Sequence, residues 1–367
     1  MRTVFILPEA FGGYGGIAKF NRELIETLCA RPDCDEVVAL PRHVPMTPQA
    51  LPGRLYFDVA GTGGVFAYLL RCLRWFVLGK RFDLILCGHL NLLPFAWLLK
   101  LRSRAPVVLI VHGVEAWEPN RRALVNLLAR RLDHVIVVSH FTLHRFAGWS
   151  GVDRARMHVL RNCVDLSLFS PGPPNPALVR RYAVEGKRVI LTLGRLDANE
   201  RAKGFDQIIG AMPALLRERD DVVYMIVGSG TDRARLERKA RALGMGDRVI
   251  FTGYIEEDEK PDHYRLADLY AMPGRGEGYG IAYLEAMACG VPVVGSTLDA
   301  SRETLREGRL GAVIDPDDPD AVLAALRDGL DRGKGAPPAE LAENALPAFA
   351  ARANEIFDMI AAATQRS

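Results

Sequence analysis

The chain has 367 residues, 49% hydrophobic and 25% charged, the balance of a globular protein too long for one core, which predicts two domains. Six scattered cysteines, with no CxxC spacing and no Cys/His cluster, argue against a disulfide framework or a zinc site. No apolar run reaches the roughly 18 residues of a membrane span and no leader is evident, so a cytoplasmic protein is expected. Net charge is only +3, but residues 1–165 hold 21 Lys and Arg against 13 Asp and Glu (+8), leaving 26 against 31 (−5) for the rest. The basic half suits an anionic partner, and without a nucleic-acid recognition module a lipid surface is favoured over nucleic acid.

In chain order the first half reads as the strands TVFILP, VVAL, DLILC, PVVLIV and HVIVVS, and the second as RVILTLG, VVYMIVG, RVIFTG, DLYAMP, VPVVGS and GAVID. These runs are almost wholly apolar, as strands buried on both faces of a parallel sheet are. Helical patterns lie between them: IAKFNRELIETL, GFDQIIGAMPALLRER, and TDRARLERKARALG with a Thr-Asp cap signal and a terminal Gly244. The stretch SPGPPNP, residues 170–176, forbids helix and reads as a joint. Two doubly wound domains follow, 1–168 and 169–345, with PPAELAENALPAFAARANEIFDMIAAA reading as helix after Pro338.

Open parallel sheets bind ligands beyond the carboxyl ends of their strands, and glycines and cations gather there. Gly12-Gly13-Tyr14-Gly15-Gly16 follows the first strand. His112, Gly113 and Glu115 follow PVVLIV, while Gly194 and Arg195 follow RVILTL with Lys203-Gly204 further on. Gly228-Ser229-Gly230 follows YMIV, and GRGEGYGIAYLEAMACGVPVVGS, residues 274–296, follows DLYAMP. A diphosphate explains most of these: glycines expose amides, a helix start favours negative charge, and Arg195 with Lys203 neutralises oxygens. With a helix starting near Tyr279 or Gly280, Glu277 lies in the loop before it, placed for a group beyond the phosphates. Glu285 lies a turn inside, placed for a ribose diol. Asp318-Pro319-Asp320 mimics a metal-binding carboxylate pair but opens the helix AVLAALRDGL and reads as a cap.

The Glu-x7-Glu stretch, the Gly194-Arg195…Lys203-Gly204 pair, the glycine-rich first loop and Asn162-Cys163-Val164-Asp165 with Phe169 resemble the family-4 retaining glycosyltransferases over essentially the whole chain. The resemblance implies the GT-B fold, two Rossmann-like domains facing each other across a cleft, with acceptor binding in the first and nucleotide-sugar binding in the second. It also implies that the last helix, 346–367, packs back on the first domain. By the same resemblance Arg195 and Lys203 hold the donor diphosphate, Glu277 meets the sugar hydroxyls, Glu285 the ribose, and His112 lines the sugar site. Gly15, Gly16, Gly194, Gly228, Gly278, Tyr279, Gly280 and Ile281 complete the donor side, and Gly13, Tyr14 and Glu115 the acceptor side. Two departures, Gly113 where many relatives have Asp and Asn162-Cys163 in place of Asn-Gly, bear on sugar specificity.

The expected activity is metal-independent transfer of a hexose from a nucleotide-diphosphate sugar, with retention, to a hydroxyl on a lipid-linked or glycan acceptor, with no cofactor. A nucleotide-sugar epimerase would need further acid/base residues, and a non-catalytic donor-binding subunit would not need intact Arg195, Lys203 and Glu277. Finally, residues 66–81 and 91–104 combine apolar patterns with Arg71, Arg74, Lys80, Arg81, Lys100, Arg102, Arg104, Trp75, Phe76 and Trp97, a mix suited to peripheral binding at an anionic membrane surface.

Overall fold

A computed structural model describes residues 1–367 except 49, 78–80, 200, 202 and 366–367; Lys80 of the basic stretch thus lies outside the described residues. The chain divides into two compact units, residues 1–162 with 346–367, and residues 163–345. The division falls just before Cys163 rather than at 168.

The first unit holds seven strands: β1 (Arg2–Leu7), β2 (Glu36–Pro41), β3 (Leu55–Phe57), β4 (Leu84–Cys87), β5 (Val107–Val111), β6 (His134–Val137) and β7 (Met157–Val159). They pair in the order β3-β2-β1-β4-β5-β6-β7, every pair parallel. The second unit holds β8 (Arg188–Leu193), β9 (Val222–Val227), β10 (Val249–Gly253), β11 (Leu269–Ala271), β12 (Val293–Ser296) and β13 (Ala312–Ile314). Their order is β10-β9-β8-β11-β12-β13, again all parallel. Central strands such as VVLIV and VVYMIV are buried along their whole length, because helices cover both faces. In each sheet the order reverses beside the first strand, β1 or β8. The crevice of an open sheet forms at that switch point, and the glycine loops after β1 and β8 stand there.

Several local expectations need correction. The two edge strands β3 and β7 are additions to the strands read from sequence; each has three residues and only one of those six, Met157, is buried. Asp232 precedes the helix Arg233–Ala242 without capping it; its carboxylate accepts hydrogen bonds from Arg235 instead. The final segment is a 3-10 turn over Ala339–Asn344, a break at Ala345, and then the helix Leu346–Gln365. That helix belongs to the first unit, where Phe349 meets Phe20 edge-on at 5.5 Å and Asp358 pairs with Arg31 at 2.7 Å. Asp318 does cap its helix, accepting from the amides of Asp320 and Ala321.

Candidate functional site

In the second unit the loops after β8 and β9 zip together. The amide of Gly194 donates to Val227 (2.9 Å), that of Leu196 to Ser229 (3.0 Å), and that of Asp232 to Leu196 (2.9 Å). This contact is the reason for Gly228: with φ at +138°, a Cβ there would lie 2.0 Å from the Gly194 carbonyl oxygen. Gly194 itself carries no such constraint, since a Cβ would meet only the Lys203 stem and Phe205 at ordinary contact distance.

Lys203 runs along Gly194 and its ammonium pairs with Oε1 of Glu277, across the edge between β8 and β11. Neither side chain is freely solvated, at 23% and 14% exposure. Glu277 is held from behind. Its amide donates to Oδ2 of Asp299 (3.0 Å), and its carbonyl accepts from Ala300 (3.0 Å). Asp299 is fully buried, and its other oxygen accepts from both the amide and the hydroxyl of Ser301. Burial raises the Asp299 pKa despite those donors. Sequence reasoning missed Asp299; its place directly after β12, at the same carboxyl edge, was the available signal.

The helix Ile281–Ala288 opens at Gly280, whose φ is +92° and whose Cβ position would be 3.6 Å from the second Glu277 oxygen. The leading amides of a helix have no intrahelical acceptor, so they face the same corner as the Lys203–Glu277 pair. Glu285 is buried one turn in, and Oε2 accepts from the Tyr264 hydroxyl at 2.9 Å. Tyr279 is buried as well, its hydroxyl accepting from Asn344 and its carbonyl from Thr304, so its ring braces the loop. Arg195 is exposed just past Gly194, and Gly278 is half-buried between Glu277 and Tyr279. The structure thus joins Gly194, Lys203, Glu277, Gly280 and Ile281 in one corner and sets Glu285 beneath it.

In the first unit Tyr14, Gly15 and Gly16 are exposed at the start of the helix Gly16–Ala30, while Gly13 is buried and its carbonyl accepts from Arg22 at 2.9 Å. His112 follows β5; its amide donates to Oε1 of Glu115 at 2.6 Å and Phe20 packs edge-on to its ring. Its Nε2 is buried without a hydrogen-bond partner. Burial pushes the imidazole pKa down to about 4 against the opposing charge of Glu115, so the ring is neutral near pH 7. Glu115 also lines a cavity of about 360 Å³ with Asn91, Glu118, Asn120, Arg121 and Arg122 among others; His112 is not part of its wall.

Residues 178–346 match the family model described as glycosyl transferases group 1, and residues 14–168 the model described as Glycosyltransferase Family 4. Phosphatidyl-myo-inositol mannosyltransferase of Mycobacterium tuberculosis is 30% identical over 343 residues, 90% of this chain and 86% of that one. The chain belongs to the family-4 glycosyltransferases. Another relative, GDP-mannose-dependent alpha-(1-6)-phosphatidylinositol monomannoside mannosyltransferase of Mycolicibacterium smegmatis, is 39% identical over 249 residues, spanning 64% of each chain. Among solved structures, Anabaena HepE in complex with UDP-glucose covers all of both chains with a TM-score of 0.72 at 21% identity, a likeness of fold. The chain therefore has the GT-B pair of Rossmann-like domains.

Proposed function

We propose that this glycosyltransferase moves a hexose, with retention and without a metal ion, from a nucleotide-diphosphate sugar to a hydroxyl on a lipid-linked acceptor. Its relatives named for GDP-mannose and phosphatidylinositol support mannose as the sugar and a phosphoinositide as the acceptor. The observation that carries the reading is the Lys203–Glu277 pair beside the open end of the helix Ile281–Ala288.

In this reading the charge gathering on the departing diphosphate is the main barrier, and Lys203, Arg195 and the amides of Gly280 and Ile281 are the groups that receive it. Glu277 keeps Lys203 paired until the donor arrives and then accepts from the sugar hydroxyls. Glu285 accepts from the ribose. Neutral His112 can donate or accept a hydrogen bond at the sugar but carries no charge of its own. The first unit takes the acceptor, with Gly13, Tyr14 and Glu115 on that side. The donor phosphate helps to remove the acceptor proton.

Binding at an anionic membrane surface belongs to the same proposal, with its contact face revised. In the helix Val65–Val77, Arg71 and Trp75 turn inward onto the buried carboxylate of Asp58, at 2.6 and 2.7 Å. Lys100 likewise pairs with Asp133 and lies over Trp97. What faces outward is Phe66 (82% exposed), Leu70 and Val77, with Arg74 beside them. No helix among the described residues is long and apolar enough to cross a membrane.

The test is incubation of GDP-mannose, UDP-mannose and UDP-glucose with phosphatidylinositol vesicles, with and without chelator, followed by NMR assignment of the product anomer. An α-linked product formed equally in chelator is expected. A β-linked product, or activity that returns only with Mg²⁺ or Mn²⁺, overturns the mechanism.

A further inference from the structure

We infer that Arg42 binds a phosphate carried by the acceptor; the inference rests on the reading of the chain as a transferase to a phosphoinositide-type lipid. Arg42 directly follows β2, and its amide donates to the carbonyls of Leu7 (2.9 Å) and Pro8 (3.1 Å), which fixes it at the carboxyl edge of the first sheet, next to the β1 switch point. Residues 42–46 are fastened to the glycine loop: His43 donates to Pro8 (2.9 Å), Met46 to Gly12 (3.0 Å), and a Cβ on Gly12 would lie 2.1 Å from the Met46 carbonyl oxygen.

The guanidinium is half-buried against an aromatic ring. It lies 5.7 Å from the centre of the Tyr68 ring, and Tyr68 is locked by its hydroxyl donating to Leu40 at 2.7 Å. Yet Nη1 of Arg42 is buried without a hydrogen-bond partner, and no carboxylate pairs with Arg42 among the described residues. Other arginines of this unit are satisfied, Arg31 by Asp33 and Asp358, Arg71 by Asp58 and Arg22 by two carbonyls, while Arg352 also keeps buried nitrogens without a hydrogen-bond partner but lies on the C-terminal helix rather than at the carboxyl edge of the sheet.

A buried donor left unpaired is destabilising, more so when charged, and Arg cannot shed its proton to escape that. A cation fixed in place and left without an acceptor is suited to an anion arriving from outside, and the planar fork of Arg matches phosphate. The acceptor is the better source of that anion. Arg42 lies in the +8 half of the chain, whereas the donor diphosphate has Arg195 and Lys203 in the second unit as its proposed cations.

The experiment uses the full chain as wild type, Arg42→Gln and Arg42→Lys, and measures binding of myo-inositol 1-phosphate, myo-inositol, inorganic phosphate and GDP by titration calorimetry, with a thermal melt of each protein. Losing a charge-assisted hydrogen bond predicts roughly 10- to 100-fold weaker inositol 1-phosphate binding in Arg42→Gln, partial rescue in Arg42→Lys, and unchanged GDP affinity. The melting temperature should not fall, because the substitution removes an unsatisfied charge. Equal inositol 1-phosphate affinity in wild type and Arg42→Gln, or no binding to either, overturns the inference. So does a matching loss of GDP binding, a drop in melting temperature without a change in phosphate preference, or inorganic phosphate binding as tightly as inositol 1-phosphate, which marks a free-anion site. Absent sugar transfer with Arg42-dependent binding intact would sink the transferase reading alone.

Discussion

Lys203 and Glu277 form an ion pair, and as opposite charges each should answer differently to substitution. Replacing Lys203 or Arg195 by Ala removes positive charge from the departing diphosphate and should lower kcat by about two orders of magnitude with the melting temperature nearly unchanged. Unchanged turnover at saturating donor would remove both from the chemistry. Glu277→Gln should impair transfer more than binding of the nucleoside diphosphate, whereas Glu285→Gln should weaken both, because in the proposed reading Glu285 accepts from the ribose rather than from the sugar. Indistinguishable effects in paired binding and turnover assays would mean the two are misplaced. The chemistry-bearing residue types at this corner were legible in the sequence because glycines and charges after apolar strands have few other uses. The Lys203–Glu277 contact was not, since 74 residues separate the pair. Nor was the bracing by Asp299, an acidic residue that looks from its neighbours like any turn aspartate.

At the level of elements, β6 and β7 carry a histidine pair: Nδ1 of His134 and Nε2 of His158 are 3.1 Å apart. Burial lowers both pKa values, with Asp133 opposing the shift at His134 and the Arg156 charge and the His134 ring adding to the shifts at His134 and His158 respectively. The unfolded chain therefore binds these protons more readily than the folded one. The stability they contribute is complete above the ordinary histidine pKa of 6.5 and is lost as pH falls through the lowered folded values. Urea midpoints should fall from pH 7 to pH 5, and His134→Phe/His158→Phe should flatten part of that slope; His89, His112 and His263, shifted the same way, add to it, while Glu26 and Asp299, raised by burial, oppose it. A variant slope identical to wild type would show that the pair stays neutral throughout. The helix Val65–Val77 offers a second test. Phe66→Ser/Leu70→Ser should release the protein from phosphatidylinositol vesicles in sedimentation, and equal pelleting would reject the exposed face as the contact. Here the sequence pattern misled in a specific way: an amphipathic helix with Arg and Trp suggested that both faced lipid, but the buried carboxylate of Asp58 draws Arg71 and Trp75 inward.

For the whole molecule, eleven strands of the two sheets could be read as apolar runs, the central ones because they are buried on both faces; the edges β3 and β7 could not, since Leu55–Phe57 is closed in by Arg54 and Asp58 and Met157–Val159 is interrupted by His158, whereas the equally short edge β13 keeps the apolar run Ala312–Ile314. The helix Leu346–Gln365 covers the helix Gly16–Ala30 through Phe349 and Asp358, so deleting residues 346–367 should expose Phe20 and strip Arg31 of one carboxylate. The first unit should then melt earlier in calorimetry while the second keeps its transition; an unaltered first transition would make the helix a passive appendage.

Because the first unit takes residues 1–162 and then 346–367, the second unit is in sequence an insertion within it. During synthesis the N-terminal sheet must wait for the segment that covers Phe20. At ribosomal rates of roughly 5–20 residues per second the delay is about 10–40 s, the time in which residues 163–345 are made. The nascent chain therefore passes through a stage with the first sheet complete in sequence but still uncovered, the stage at which a chaperone has most to protect.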